Sequence, residues 1–501
     1  MMKSRALLSP WIIISFSALQ LQPKSRVYCS LVAAASSFSK PHPHSKLRVR
    51  QVQVIHRHGD RTPITPLKDE EYWASQLPQP GVLQGIAKDT KLLRPPEGGP
   101  KKHGAVGRGP FGQLTMMGLL QMVALGERLK EELEHSSEND DDKSHQFVNQ
   151  GRLFTPIKPL HPSRVKVMST DFPRTIQSVQ ALLTGLFPDA NPDVNAPIEI
   201  DLRHTNSYFI PDPQPRQYAE QISLESHLSK RPHLLSREEK LQELAHRVTA
   251  ELHEYINHEG AKGISFGIGE EKEDASQAAI RQPLAWAQLA EMLVCLHSRE
   301  LLPPTLTEED VQAVCDHVAW KWFENLRHPV LAKSAMWKFA SRLVENMQQK
   351  VESDCKCWEC IENEHHEHGV STEMLVKEEY ELECTEEPWL CIYSAHDSTL
   401  IGLLSVLQLE QPAEWPEYGS ALKLELIREE DNSQPAKVLQ HWVRLSLNGQ
   451  VLRSTWLADE SGHPSTMVPL KKLASMIHSE HELFEDERLK YSWKPGLLEE
   501  H

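Results

Sequence analysis

The sequence contains no uninterrupted apolar run close to the roughly 20 residues that a membrane-spanning helix requires. It has 8 cysteines among 501 residues, too few for a small disulfide-stabilised scaffold. Basic residues are also in the minority, with 54 Lys and Arg against 70 Asp and Glu and a formal net charge of −16. A general nucleic-acid-binding protein would need basic surfaces to meet phosphates, so that class is excluded, together with integral helical membrane proteins and disulfide scaffolds.

Acidic residues are missing altogether from Met1–Gly59, a segment that is basic and rich in serine. This composition is typical of an organelle transit peptide, whereas the moderately apolar stretch Leu7–Leu21 would also fit a secretory signal. No Asn lies in an Asn-x-Ser/Thr sequon, which favours organelle import over secretion. We therefore expect residues 1–46 to be a leader to the mitochondrion or plastid, with the secretory pathway as the alternative.

The remainder of the chain has the composition of a folded protein. Apolar residues make up 39% and charged residues 25% of the sequence, and the length predicts two or three domains. Three β-branched or apolar runs predict strands, each followed within five residues by His or Arg: Val49–Ile55, Val165–Ser169 and Trp389–Tyr393. In open α/β sheets, ligands bind beyond the carboxyl ends of the strands. The residues that follow these strands are therefore expected to meet.

These residues are, in chain order, Arg57, His58 and Arg61, then Arg174, and then His396 and Asp397. Arg174 falls in the predicted first turn of a helix that Thr170 or Asp171 could cap. A cation at that position opposes the helix dipole, unless an anion is shared by the guanidinium and the helix N–H groups. Planar guanidinium groups match phosphate oxygens. The cluster therefore predicts a phosphate pocket.

The two remaining residue types suggest a reaction. His58 lies between two arginines, whose positive charge disfavours the imidazolium, so the neutral ring is available for in-line attack on phosphorus. Asp397 is suited to protonate the departing alkoxide. If Asp397 carries this proton in the free enzyme, the activity should be greatest at acid pH. The residues alone thus predict a phosphoryl-transfer enzyme.

The same segments resemble those of a known family. Arg57 to Pro63 matches the RHGxRxP signature of the histidine acid phosphatases at every defined position. Ser169 to Thr175 is similar to the second arginine segment of that family, and His396-Asp397 to its late His-Asp pair. The likeness covers most of residues 47–455. The stretch from Gly112 to Leu129 looks most like the lysophosphatidic acid phosphatase (acid phosphatase type 6) branch.

The resemblance implies a role for each matched residue. His58 would be the phosphohistidine nucleophile and Asp397 the proton donor to the leaving group. The phosphate would be bound by Arg57, Arg61, Arg174 and His396. No metal and no organic cofactor are implied. The implied fold class is α/β, with a mixed, mainly parallel sheet flanked by helices and an inserted, mostly helical cap.

The resemblance also suggests a small-molecule phosphate monoester as substrate, namely lysophosphatidic acid, which would give monoacylglycerol and phosphate. Alternatives are an inositol-phosphate (phytase-like) or broad-specificity acid phosphatase, and a catalytically silent phospholipid-binding protein. The expected boundaries are a leader at 1–46, core at 47–201, helical cap at 202–333, core again at 334–455, and a partly helical tail at 456–501.

Other features are open to functional interpretation. Soft metal ligands cluster in one Glu-rich segment, at Cys355, Cys357, Cys360, His365, His366 and His368. Their spacing fits no zinc module, so a surface loop is expected rather than a metal site. His56 is expected to be a core histidine or a partner behind the site, and His204 to be a candidate for lining it. The Gly-rich stretch 98–112 is expected to be a loop at the lip of the cleft.

Overall fold

The structure is a computed structural model. It describes residues 46–93, 109–134, 161–188, 196–203, 230–258, 283–326, 336–354, 388–407, 409–410, 414–431, 434–454 and 466–477. The expected leader, the Cys and His cluster of 355–368, His204 and most of the Gly-rich stretch lie outside the described residues. Among the residues within these ranges, no helix is long and apolar enough to cross a membrane.

The strands of the described chain belong mainly to one nine-stranded sheet. They are β1 (Lys46–Arg57), β2 (Thr90–Leu92), β3 (Val165–Thr170), β4 (Ile198–Arg203), β5 (Leu390–Ala395), β7 (Ala421–Asp431), β8 (Gln434–Leu447), β9 (Gln450–Val451) and β11 (Met467–Pro469). A separate pair is formed by β6 (Leu409–Glu410) and β10 (Arg453–Ser454).

The order along the main sheet is β11-β8-β7-β1-β5-β3-β4-β2, with β9 on β8. Strands β1, β5, β3, β4 and β2 pair in parallel, whereas β7, β8 and β11 extend the sheet antiparallel from β1. Every residue of β5 is buried, as expected for a central strand covered on both faces. The predicted α/β class with a mixed sheet is confirmed.

The helices pack on both faces of this sheet and in a separate cluster described below. They are α1 (Glu70–Ser75), α2 (Pro80–Ala87), α3 (Met116–Glu134), α4 (Pro173–Leu186), α5 (Pro232–His253), α6 (Trp286–His297), α7 (Glu308–Leu326), α8 (residues 336–354), α9 (Asp397–Val406) and α10 (residues 470–477). Buried apolar residues join α3 and α4 to one face, including Met122 and Leu182. The other face buries α8 and α9, through Phe339 and Leu400 among others.

Helices α5, α6 and α7, called the cap below, have an apolar core of their own. It includes Val248, Leu289 and Val314, one from each helix, and all three are fully buried. The same core takes in Leu67 and Trp73, which follow β1 in the chain. The cap is thereby packed against the segment that carries the first predicted motif.

The sheet differs from the expected boundaries at two points. Strand β4 continues to Arg203, just past the expected end of the first core segment at 201. Strand β11 pairs with β8 and buries Val468 in the main core, so the sheet extends beyond residue 455 into the expected tail. Strand β11 has only three residues, which is too short to show a periodic pattern, so the sequence does not predict it.

Candidate active site

The first motif continues directly from β1. Arg57 is the last residue of the strand, and the His58 N–H donates to the Ala395 carbonyl at the end of β5 (3.1 Å). Residues 58–65, called the His58 loop below, then cross the first turn of α3. A Cβ on Gly59 would lie 2.3 Å from the Gly118 oxygen, and one on Gly118 would lie 2.1 Å from the Asp60 oxygen. Two glycines are needed here because the backbones touch.

His58 is held in one tautomer. Its Nδ1 lies 2.8 Å from the Gly59 carbonyl oxygen, which can only accept, so Nδ1 carries the proton and Nε2 keeps its lone pair. The side chain is buried, and burial lowers its pKa well below the usual value, with further lowering by Arg174 and Arg57. A neutral imidazole with a free Nε2 has the form that a nucleophile requires.

Asp397 is fixed by three donors. Arg57 Nη2 lies 2.8 Å from Oδ2, Trp415 Nε1 donates to the same oxygen at 3.2 Å, and the Ser398 N–H donates to Oδ1 at 2.7 Å. Burial by itself would raise the pKa of Asp397, but Arg57, His396 and Arg61 outweigh it and lower the pKa. The expectation that Asp397 carries its proton in the free enzyme is therefore wrong, because Arg57 stabilises the carboxylate.

Arg174 is the second residue of α4, as predicted, but the helix cap differs. The N-cap residue is Phe172, which makes no side-chain cap, and Pro173 begins the helix. The Thr170 hydroxyl instead contacts Thr175 and His396. The helix begins two residues after Asp171, at Pro173, because proline is preorganised for the first helical position.

The Arg174 guanidinium has few partners. It lies 4.5 Å from the Phe172 ring centre, and Nη1 donates weakly to the Gly112 carbonyl at 3.5 Å. Burial lowers the pKa of Arg174 to about 9, with Arg61 and Arg57 also disfavouring its charge. Among the described residues, no carboxylate forms an ion pair with this group. An anionic ligand would supply the missing negative charge.

His396 is the N-cap residue of α9 and lies beside the nucleophile candidate. Its ring centre is 5.7 Å from that of His58, and its Nε2 lies 3.2 Å from the Thr170 hydroxyl. Burial lowers the pKa of His396 to about 3, with Arg174 contributing. The ring is therefore neutral, and it is suited to hydrogen bonding rather than to charge neutralisation.

Arg61 is held by the cap. Its Nη1 donates to Glu291 Oε2 of α6 at 3.1 Å and to the Thr62 carbonyl at 3.0 Å. Burial alone would lower the pKa of Arg61, but Tyr418, Cys295 and Glu291 more than compensate and raise it. The guanidinium is charged at every accessible pH.

Sequence reasoning missed several residues that complete the site. The Tyr418 ring covers Arg57, with 4.1 Å from the guanidinium carbon to the ring centre, and lies 5.8 Å from the His58 ring. Trp415 binds Asp397, and its ring lies 5.3 Å from that of Trp322 in α7. The signal available for Tyr418 and Trp415 was their position within residues 47–455, most of which the family likeness covers.

His56 is a core histidine behind the site. It is fully buried, and its Nδ1–H donates to the Arg57 carbonyl at 3.0 Å. Burial lowers its pKa to about 4. Its contact with the Arg57 backbone supports the end of β1.

All six predicted residues thus meet at the carboxyl ends of β1, β3 and β5. Three guanidiniums surround two neutral imidazoles, with one carboxylate at the edge. Within the described part of the chain, no group of three His, Cys, Asp or Glu residues could hold a metal ion. The arrangement is suited to binding a tetrahedral dianion against a histidine nitrogen.

Comparisons with known proteins agree with this geometry. A model of the histidine phosphatase superfamily (branch 2) matches residues 48–448. Counting factor 60 of Dictyostelium discoideum is 24% identical over 462 residues, which cover 90% of this chain and 90% of that protein.

Two further relatives are similar over shorter stretches. Lysophosphatidic acid phosphatase type 6 of Homo sapiens is 34% identical over 160 residues, 29% of this chain and 33% of that protein. Lysosomal acid phosphatase of Homo sapiens is 29% identical over 140 residues, 28% of this chain and 22% of that protein. These alignments therefore span a third or less of either relative.

Among solved structures, the apo form of Hafnia alvei phytase is similar, with a TM-score of 0.49 and 14% identity over 87% of this chain and 97% of that one. The family model matches well over half of the chain and includes all six candidate residues. The chain therefore belongs to branch 2 of the histidine phosphatase superfamily, the histidine acid phosphatases, and is a phosphatase.

Proposed function

We propose that this phosphatase hydrolyses phosphate monoesters through a phosphohistidine formed on His58. The observation that supports this most directly is the hydrogen bond from His58 Nδ1 to the Gly59 carbonyl (2.8 Å). It leaves Nε2 unprotonated among three guanidiniums. Arg57, Arg61, Arg174 and His396 bind the phosphoryl oxygens, and neutral His396 donates a hydrogen bond rather than a charge.

The reaction has two displacements at phosphorus. In the first, Nε2 of His58 attacks, the N–P bond forms, and the P–O ester bond breaks as the alcohol oxygen takes a proton. In the second, water attacks the phosphohistidine, the N–P bond breaks, and inorganic phosphate leaves. The carboxylate of Asp397 takes the proton of that water and releases it to solvent as inorganic phosphate leaves, so the free enzyme is restored with Asp397 ionised.

The proton for the leaving group comes from the substrate. Asp397 is ionised in the free enzyme, since Arg57 lowers its pKa, so a dianionic ester would find no donor there. An ester monoanion, present below a second pKa of about 6, carries the proton into the site. Asp397 accepts this proton and passes it to the departing oxygen. Activity is therefore greatest at acid pH, although not because Asp397 is protonated beforehand.

For the substrate, we propose an ester with an apolar leaving group, of which lysophosphatidic acid is the leading candidate. Beside Asp397, where the alcohol departs, Trp415 packs on Trp322 of the cap, which offers apolar surface to an acyl chain. Arg299, just past the end of α6, is basic and lies next to the His58 loop, but Asp60 pairs with it. A polyphosphorylated inositol would need further cations. The relatives named lysophosphatidic acid phosphatase support the same choice.

The experiment measures phosphate release by the full chain and by its His58→Ala variant, with a chelator present. Lysophosphatidic acid, inositol hexakisphosphate and p-nitrophenyl phosphate are compared between pH 4 and 8. We expect chelator-resistant release, greatest with lysophosphatidic acid and reduced at least roughly 10³-fold in the variant. Full activity of His58→Ala would refute the phosphohistidine. A preference for inositol hexakisphosphate, or no preference, would favour the phytase-like or broad-specificity alternatives. Tight binding without release would indicate a silent phospholipid-binding protein.

A second variant tests the acid. Asp397→Asn cannot pass a proton to the leaving oxygen, so hydrolysis of alkyl phosphates should fall far more than that of p-nitrophenyl phosphate. The leaving group of p-nitrophenyl phosphate is stable as an anion. Equal losses on both substrates would exclude the proton-transfer role of Asp397.

We also propose that the basic leader directs the protein to an organelle, the mitochondrion or plastid. Residues 1–46 contain no Asp or Glu, which is typical of such signals. Fusion of this segment to a fluorescent protein should deliver it to that organelle. Secretion of the fusion would support the secretory alternative instead.

A further inference from the structure

One face of cap helix α6 contacts the His58 loop through three side chains. Glu291, Cys295 and Arg299 follow one another at intervals of four residues, so they lie along one side of the helix or its immediate continuation. Glu291 and Cys295 are buried, as is the side chain of Arg299. Each contacts a residue of the loop that carries the proposed nucleophile.

Glu291 uses both of its oxygens. Oε2 accepts from Arg61 Nη1 at 3.1 Å and from the Ile64 N–H at 2.8 Å. Oε1 accepts from the Thr65 N–H at 2.9 Å. One carboxylate therefore fixes the guanidinium of Arg61 and the backbone of the same loop three and four residues further on. A charged acceptor with this many donors forms strong, directional hydrogen bonds.

The contacts of Arg61 are confined to one side of its guanidinium. Its hydrogen bonds to Glu291 and the Thr62 carbonyl, and its 4.0 Å contact with Cys295 Sγ, all use Nη1. Nε is buried without a hydrogen-bond partner. The edge formed by Nε and Nη2 is therefore free to bind an anion with two parallel N–H groups, the geometry in which arginine binds phosphate.

The other two side chains hold the loop differently. Arg299 pairs with Asp60, which also accepts from the Thr115 hydroxyl, and it has no contact with the Arg61 guanidinium. The Cys295 thiol donates to the Arg61 carbonyl at 3.4 Å and has only the 4.0 Å contact with Nη1. Glu291 therefore supplies the one charged contact of the Arg61 guanidinium among these three side chains.

We infer that Glu291 is a positioning residue, which rotates Arg61 so that its Nε–Nη2 edge faces the phosphoryl group. The inference rests on the proposed function. Glu291 touches neither substrate nor nucleophile. Because it belongs to the cap, the position of the cap also determines how well the pocket holds phosphate, in addition to shaping the space for the leaving group.

The test compares two variants of the same helix face in the full chain. Glu291→Gln keeps the shape but removes the charge and one acceptor. Arg299→Gln breaks a buried ion pair with the same loop without changing the contacts of Arg61. Binding of inorganic phosphate is measured by calorimetry, alongside the thermal midpoint of unfolding. We expect Glu291→Gln to weaken phosphate binding about tenfold or more, and Arg299→Gln to lower the midpoint while changing phosphate binding less than threefold.

A double-variant cycle separates positioning from general stability. In an Arg61→Gln background, Glu291→Gln should cause no further loss of phosphate affinity, because Glu291 acts through Arg61. Equal losses of affinity in Glu291→Gln and Arg299→Gln, or an undiminished loss in the Arg61→Gln background, would overturn the inference.

The milder Glu291→Asp variant keeps the charge but retracts it by one methylene, and it serves if Glu291→Gln does not fold. Its phosphate affinity should fall by about threefold, and unchanged affinity in the folded variant would contradict the inference. Phosphate binding does not require turnover. A failure of the proposed reaction, seen as activity in His58→Ala, is therefore distinct from a failure of this inference.

Discussion

The two ends of the parallel strands both bury arginines, yet their charge is balanced differently. At the amino ends, Asp354 of α8 is shared by Arg50 (2.7 Å) and Lys350 (3.2 Å), and both cations lie close to the Trp389 ring. Burial opposes ionisation of Asp354, but Arg50 and Lys350 lower its pKa. Here two buried cations share a buried carboxylate.

At the carboxyl ends, one buried arginine has no carboxylate in contact with it. Arg57 has Asp397 and Arg61 has Glu291, whereas Arg174 has no carboxylate partner among the described residues and its pKa falls to about 9. The comparison shows that burial of arginine does not identify a ligand site. An arginine without a carboxylate partner among the described residues, close to other arginines, predicts one. The contrast therefore predicts a stabilising role for the amino end and a ligand-binding role for the carboxyl end.

The largest effect should come from breaking the pairs at Asp354. Asp354→Asn removes the carboxylate that two buried cations share and should lower the free energy of unfolding by about 3 kcal/mol. The activity per folded molecule should not change. Urea unfolding measures the loss, with Glu132→Gln as the control, since the Glu132–Lys423 pair (2.7 Å) has an exposed carboxylate and contributes about 1 kcal/mol at most. If Asp354→Asn lowers the free energy of unfolding no more than Glu132→Gln does, the stabilising role of Asp354 is contradicted.

At the carboxyl ends of the strands, Arg174→Gln should affect activity much more than stability. It removes a cation that has no carboxylate partner, so stability should be unchanged or higher. The value of kcat/KM for a phosphate monoester should fall on the order of 10²-fold, because a guanidinium no longer neutralises the phosphoryl group. Parallel assays of turnover and urea unfolding distinguish the two effects. A marked loss of stability would show that Arg174 is structural, like Arg50.

The pH dependence of stability gives a third test, which concerns His56 behind the site. Burial lowers its pKa in the folded chain to about 4, below the ordinary value of 6.5, so between these values the unfolded chain binds a proton that the folded chain does not. Stability is therefore lost as the pH falls from about 6.5 to 4, by about 2 kcal/mol between pH 7 and pH 5 for this group. His56→Phe should reduce the difference between the unfolding free energies at those two pH values. An unchanged difference would mean that His56 is not protonated on unfolding.

The smallest effect is expected at Trp415. Trp415→Phe keeps an aromatic ring at this position but removes the N–H donor to Asp397 Oδ2. Arg57 and Ser398 are then left to hold the carboxylate. Turnover of an alkyl phosphate should fall about threefold relative to p-nitrophenyl phosphate, in keeping with the loss of one hydrogen bond. The ratio of the two kcat values measures this. If kcat falls equally for both substrates, Trp415 does not act through Asp397.

Much of the site was accessible from the sequence because its residues follow strands. The runs before His58, Arg174 and His396 are apolar enough to predict buried strands, and parallel strands bring their carboxyl ends together. The six predicted residues meet for this reason. The roles of these residues stay predictions until the variants are made.

The cap contacts could not be predicted in the same way. Glu291 and Arg299 contact Arg61 and Asp60 across more than 200 residues of chain, and no local pattern reveals a pairing at that distance. The prediction that Asp397 carries a proton in the free enzyme was wrong for a related reason. It depends on the 2.8 Å approach of Arg57 Nη2, which is a matter of side-chain geometry rather than sequence order. The cap of α4 was also misplaced, since Pro173 moved the helix start past Asp171.

The position of β5 has a consequence for how the protein is made. This strand lies between β1 and β3 and pairs with both, yet it is the last of the parallel strands to leave the ribosome. Until then β1 and β3 each present an unpaired edge, which is prone to association with other chains. A nascent or truncated chain that ends before Leu390 therefore lacks both Asp397 and the centre of the sheet. Insertion of β5 brings His396 and Asp397 to the pocket and covers the two edges of β1 and β3 in the same folding step.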